Sequence, residues 1–128
     1  MVEKKSGKSV EEGKACAVLS YILVGIIWFF VDEKMRKNAY AKFHVKQALV
    51  LLGLSIAVNI VMFILGIFAT IFAFIPGVGL IIGGIIWLLV VILWLGVLVL
   101  WIIGVLNSLN GKEKELPVVG KYSKYLTF

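Results

Sequence analysis

Long apolar runs separated by short charged clusters make up most of this chain. Residues 15–31 carry no charge and end in Trp28-Phe29-Phe30. From Gln47 to Gly111 another 65 residues carry none, interrupted by Pro76-Gly77-Val78-Gly79. An apolar run of about 20 residues reads as a membrane span, and Pro and Gly punctuate helices. The pattern predicts an all-α integral membrane protein with three transmembrane helices, at about 15–31, 47–75 and 80–106. The first would be ~25 Å long, near the minimum for ~30 Å of hydrocarbon. The second would reach ~42 Å, so its ends emerge into the headgroups or Gly66 permits a bend. Joined by a tight, uncharged turn, the second and third spans form a long hairpin.

The flanks complete the layout. Residues 1–14 are polar and mixed in charge, and are expected as a solvated tail before a single helical membrane domain over 15–110. Residues 32–46 carry Lys34, Arg36, Lys37, Lys42, His44 and Lys46 among Met35, Tyr40, Phe43 and Val45. That mixture predicts a basic interfacial segment in which lysines snorkel while Tyr40 and Phe43 insert. Residues 111–128 form a basic, aromatic tail suited to a lipid surface or a partner protein.

Composition sharpens the picture. Apolar residues make up 62% of the chain, against about 45–50% in soluble domains. This excludes a soluble single domain, a disordered chain and a disulfide-stapled module. The net charge of +6 sits in clusters beside apolar runs, the pattern of a membrane protein meeting anionic headgroups and not of a nucleic-acid binder. The positive-inside rule puts 32–46 and the C-terminal tail in the cytoplasm, Pro76 outside, and the N-terminus outside if the first helix spans. A re-entrant or flat first helix would leave the N-terminus inside.

No enzyme constellation appears. The carboxylates lie in the tails or at Asp32-Glu33, Cys16 is the one cysteine and His44 the one histidine. No catalytic pair, metal set or phosphate-cradling loop can be built from them, and no cofactor or metal is expected. The two long spans also lack the ionisable group that ion-coupled carriers use. Their polar residues are few. On a helical wheel Ser55 and Asn59 share a face and Thr70 lies about 20° from Asn59, a thin polar stripe. Asn59 needs a partner, on the third span or in another copy.

Packing signals are plainer. Gly79 and Gly83 make a GxxxG with Gly84 beside it, a motif for close helix approach. Trp87, Trp94 and Trp101 recur at heptad spacing, as a packing seam, a protein contact or lipid-facing filler.

Phe43-His44-Val45-Lys46-Gln47-Ala48-Leu49 resembles the Phe-His-x-x-Gln-Ala-Leu signature opening the second span of a family of small uncharacterised bacterial and archaeal multi-pass membrane proteins. Leu19-Ser20-Tyr21, Asn110-Gly111, Leu116-Pro117 and Gly120 are similar to other parts of that family's pattern. The family is distantly similar to the Tic-type import subunit of the chloroplast inner envelope and to magnetosome membrane proteins. The resemblance implies an all-helical membrane fold in the cell membrane of a prokaryote and, more distantly, a link to protein translocation or membrane organisation. For His44 and Gln47 it implies no activity, and a clasp bonding free backbone groups at a helix entry is the simplest role. The expected function is a non-enzymatic accessory or scaffold subunit, in a homo-oligomer or a larger membrane complex. The alternative is a translocation or transport path formed by an oligomer.

Overall fold

A computed structural model describes residues 2–126, with side chains from Val10 onward. Among these residues the fold is all-helical: α1 (Val2–Ser20), α2 (Val24–Val31), α3 (Glu33–Arg36), α4 (Ala39–Phe72), α5 (Val78–Leu109) and a 3₁₀ helix (Gly120–Tyr125). Two of these, α4 and α5, are long and apolar enough to cross a membrane.

The single span expected at 15–31 does not form. The helix stops at Ser20, turns through Tyr21–Leu23 and restarts as α2. At eight residues, α2 is ~12 Å long and far short of the hydrocarbon thickness. No proline marks the break. Leu23 takes a left-handed φ of 73° at the α2 N-cap, a conformation that tertiary contacts must hold in place. One such contact is at Gly25, where a Cβ would collide with the α1 backbone at Cys16, Leu19 and Ser20. The Cys16 thiol donates to the Gly25 carbonyl at 3.3 Å. Glycine thus lets α2 lie directly against the end of α1.

The expected solvated tail at 1–14 is helical from Val2 onward. Its Gly13 packs against the Asn38 side chain, where a Cβ has no room. Asn38 in turn caps α4, accepting a hydrogen bond from the Ala41 amide at 2.9 Å, an arrangement typically worth ~1 kcal/mol. The segment 32–46 is ordered as α3 and the first turns of α4, with Asp32 capping α3 through the Lys34 amide.

The chain divides into two compact units, Met1–Leu52 with Leu100–Phe128, and Gly53–Val99. The first has a core of Cys16, Phe29, Met35, Ala41 and Val45. Full burial of a side chain such as Phe29 contributes roughly 1.5–3 kcal/mol. The second unit holds residues 53–72 of α4, the turn, and residues 78–99 of α5. Those helical stretches are ~30 and ~33 Å long, matching a bilayer's hydrocarbon. Their large apolar side chains point outward, with Phe63 73% and Leu80 83% exposed. The turn uses Gly77 at φ 80°, which glycine adopts without strain.

Candidate functional site

The polar residues of the first unit converge on the end of α5. An α-helix leaves its last four carbonyls without helical partners. Here the Leu106 carbonyl accepts from the Asn110 amide, and that of Asn107 accepts from the Lys112 amide at 2.9 Å. Gly111, at φ 72°, supplies the left-handed residue of this Schellman closure. The Tyr40 hydroxyl then donates to the Ser108 carbonyl at 2.6 Å and to that of Asn107 at 3.3 Å.

Tyr40, His44 and Gln47 lie at i, i+4 and i+7 on one face of α4, and each is fully buried. The His44 Nε2 lies 2.9 Å from the Lys112 carbonyl, and its Nδ1 lies 2.9 Å from the Tyr21 hydroxyl. A carbonyl only accepts, so Nε2 carries the proton and the neutral ring's Nδ1 accepts from Tyr21. Burial, with Tyr40 nearby, pushes the Tyr21 hydroxyl up and keeps it a donor. The rings of Tyr40 and Phe43 meet His44 edge-on, with centroids 4.7 and 5.1 Å away. Both ring nitrogens are thus committed in this arrangement. Among the described residues no cluster of three or more His, Cys, Asp or Glu is placed to hold a metal.

Gln47 reaches further into the tail. Its Oε1 accepts from the Leu116 amide at 3.0 Å, while Nε2 donates to the Gly120 carbonyl at 3.1 Å and the Ser123 hydroxyl at 2.8 Å. The partners fix the amide's orientation, since an N–H faces its oxygen and a carbonyl its nitrogen. His44 and Gln47 do bond backbone groups, but on the tail beyond α5 and not at their own helix entry. Tyr40, expected to insert into lipid, is instead inside the protein. Phe43 and Lys46 are half-buried at the rim.

Trp101 belongs to the same cluster, its Nε1 donating to the Tyr21 carbonyl at 2.8 Å, within the turn between α1 and α2. Gly104, one turn on, receives the Tyr21 ring where a Cβ would collide. The heptad tryptophans otherwise part company. Trp94 donates to the Met62 sulfur at 2.9 Å, and Trp87 is 65% exposed. Within this chain they do not form one seam.

The remaining sites lie in the second unit. Asn59 finds its partner on its own helix, donating to the Ser55 carbonyl at 2.8 Å, and Thr70 does the same to Gly66 at 2.9 Å. This i−4 back-bonding satisfies polar side chains without any interhelical contact. Gly79 is tight against Phe72 and Ala73 at the turn, whereas a Cβ on Gly83 or Gly84 would meet only open space. Neither of those two packs a helix within this chain.

Sequence reasoning singled out His44 and Gln47 but missed Tyr21, Tyr40 and Ser108 as their company. The spacing of Tyr40, His44, Gln47 and Leu51, all buried, was the available signal. No protein-family model, no curated protein and no solved structure matches this chain.

Proposed function

We propose that the chain is a membrane-anchored accessory or scaffold subunit, α4 and α5 crossing the bilayer as a hairpin and the first unit serving as its folded cytoplasmic part. The supporting observation is how the buried polar groups are spent. Among the described residues, every buried side-chain nitrogen and oxygen has a hydrogen-bond partner. Tyr21, Tyr40, His44 and Gln47 direct theirs at one another and at the backbone of the α5 end and the tail. Such a network fixes a shape.

The break at Tyr21–Leu23 favours the alternative topology, in which the first segment does not span. With the first segment turned back, the N-terminus joins residues 32–46 and the tail on the cytoplasmic side. All 13 lysines and arginines then lie on one side and none on the other, the strongest form of the positive-inside bias.

The test is native mass in mild detergent with identification of what co-purifies, paired with accessibility of an N-terminal tag. A homo-oligomer or a stable complex with other membrane subunits is expected, with the tag reached only after permeabilisation from the inner side. A lone monomer with no partner would defeat the scaffold reading. Co-purifying nascent chains would put a translocation role in its place.

A further inference from the structure

We propose that a surface cleft of the first unit binds the headgroup of phosphatidylethanolamine, its phosphate on lysines and its ammonium on glutamates. This deepens the membrane reading above and rests on it. The cleft measures about 350 Å³ and is lined by Lys42, Phe43, Lys46, Glu113, Glu115 and Lys124 among others. At ~30 Å³ per water it has room for about a dozen waters, or a polar group of that size.

The chain beside the three charged tail residues is held by the buried network. Lys42 and Lys46 stand one turn apart on α4, on either side of His44. His44 bonds the Lys112 carbonyl, directly before Glu113. Gln47 accepts from the Leu116 amide, directly after Glu115, and donates to Ser123, directly before Lys124. Each charged tail residue of the cleft therefore neighbours a backbone or hydroxyl group fixed by a buried side chain.

Both signs are present and kept apart. Among the described residues Lys42, Lys124, Glu113 and Glu115 form no ion pair with one another within 4 Å. Two carboxylates would repel a purely anionic headgroup, whereas a headgroup with a phosphate and a primary ammonium uses both. A trimethylated ammonium has no N–H to give the glutamates.

Sequence position supplies the lipid. Lys46 is the last charge before the 65 uncharged residues, and Lys112 to Glu115 are the first after them. With residues 53–72 as the stretch matching the hydrocarbon, Lys46 lies about 10 Å beyond its edge along α4, a distance its long side chain shortens toward the headgroups. Tyr122 and Tyr125 extend the same surface, stacked at 6.4 Å and exposed, each with a lysine nitrogen 5.3 Å from its ring. Amphipathic rings beside lysines suit that boundary.

The full chain, delipidated in mild detergent, is titrated with dioctanoyl phosphatidylethanolamine, phosphatidylglycerol and phosphatidylcholine, and bound lipid is read by native mass spectrometry. Phosphatidylethanolamine should be retained one to one, about tenfold above the other two, a difference of ~1.4 kcal/mol. The double variant Glu113→Gln/Glu115→Gln should lose that preference. Lys42→Gln/Lys124→Gln should lose retention, and Lys42→Arg/Lys124→Arg should restore it, which separates lost charge from lost fold. Equal retention of all three lipids by the wild type, or preference for phosphatidylglycerol, overturns the proposal, as does undiminished binding by the glutamine variants at the lysines. Failure of the membrane reading shows differently, as a chain that stays soluble once detergent is removed.

Discussion

The two units of this protein solve opposite problems with similar raw material. In the first, Met1–Leu52 with Leu100–Phe128, apolar and polar side chains are buried together, and Asp32, Asn38 and Tyr40 close helix ends with hydrogen bonds. In the second, Gly53–Val99, large apolar residues face outward, and Asn59 and Thr70 are satisfied within their own helix. The first nonetheless leaves apolar side chains of α2 outward, Ile27 at 65% and Val31 at 77% exposed. The second is organised for a solvent that offers no hydrogen bonds, where each helix must satisfy itself. One chain alternates between the two regimes because α4 and α5 each contribute to both.

The comparison can be broken hardest at Gly25. Gly25→Ala drives a methyl into the α1 backbone, and a loss of about 3 kcal/mol is expected from such overpacking. Thermal unfolding in mild detergent, followed by near-ultraviolet circular dichroism, reads it; an unchanged midpoint would show that α2 is not held against α1. A comparable cost, about 2.5–3.5 kcal/mol, is expected in the second unit for inserting Phe63→Lys near mid-span, visible as lost membrane integration. The same lysine at exposed Tyr122 should integrate normally.

Next is Gln47→Ala, which removes three hydrogen bonds and strands the Leu116 amide. A loss of about 2–3 kcal/mol is expected, with trypsin cutting at Lys112–Lys124 much faster while α4 and α5 stay helical. Unaltered cleavage would mean the tail is held by something else.

A sharper reading of the second unit comes from cysteines at Ser55, Asn59 and Thr70 in a Cys16→Ser background. A membrane-impermeant thiol reagent should leave all three unmodified; rapid labelling would show water along the stripe and favour a translocation path. The native Cys16 should also resist, because burial, with Asp32 nearby, pushes its thiol up to about 11.

The smallest effect lies at the corner between α2 and α3. Hydrogen bonds from the Trp28 indole and the Lys34 amide hold the Asp32 carboxyl below its ordinary range. A depressed carboxylate gives its stabilisation above the unfolded value and loses it as pH falls through the folded one. Trp28 emission should therefore shift only under acid conditions, and Asp32→Asn should abolish the shift.

Legibility in the sequence follows the same division. The two long helices, the turn at Pro76-Gly77 and the absence of charge between Lys46 and Lys112 were all plain, with α4 and α5 starting and stopping within a few residues of expectation at the turn. The run at 15–31 misled because it has the composition of a span, while its break rests on Leu23, Gly25 and the distant Trp101. His44 and Gln47 stood out by motif, yet their partners are backbone groups, which any residue type supplies.

By itself, then, the sequence determined two helices able to cross a membrane, because that property is local: length, apolarity and internal backbone bonding are all carried by the segment concerned. Only the tertiary structure decided that the first segment folds back and that His44 and Gln47 fasten a tail 68–76 positions away. Those choices depend on which carbonyl or glycine arrives opposite a side chain, and that is set by packing, not by any local pattern.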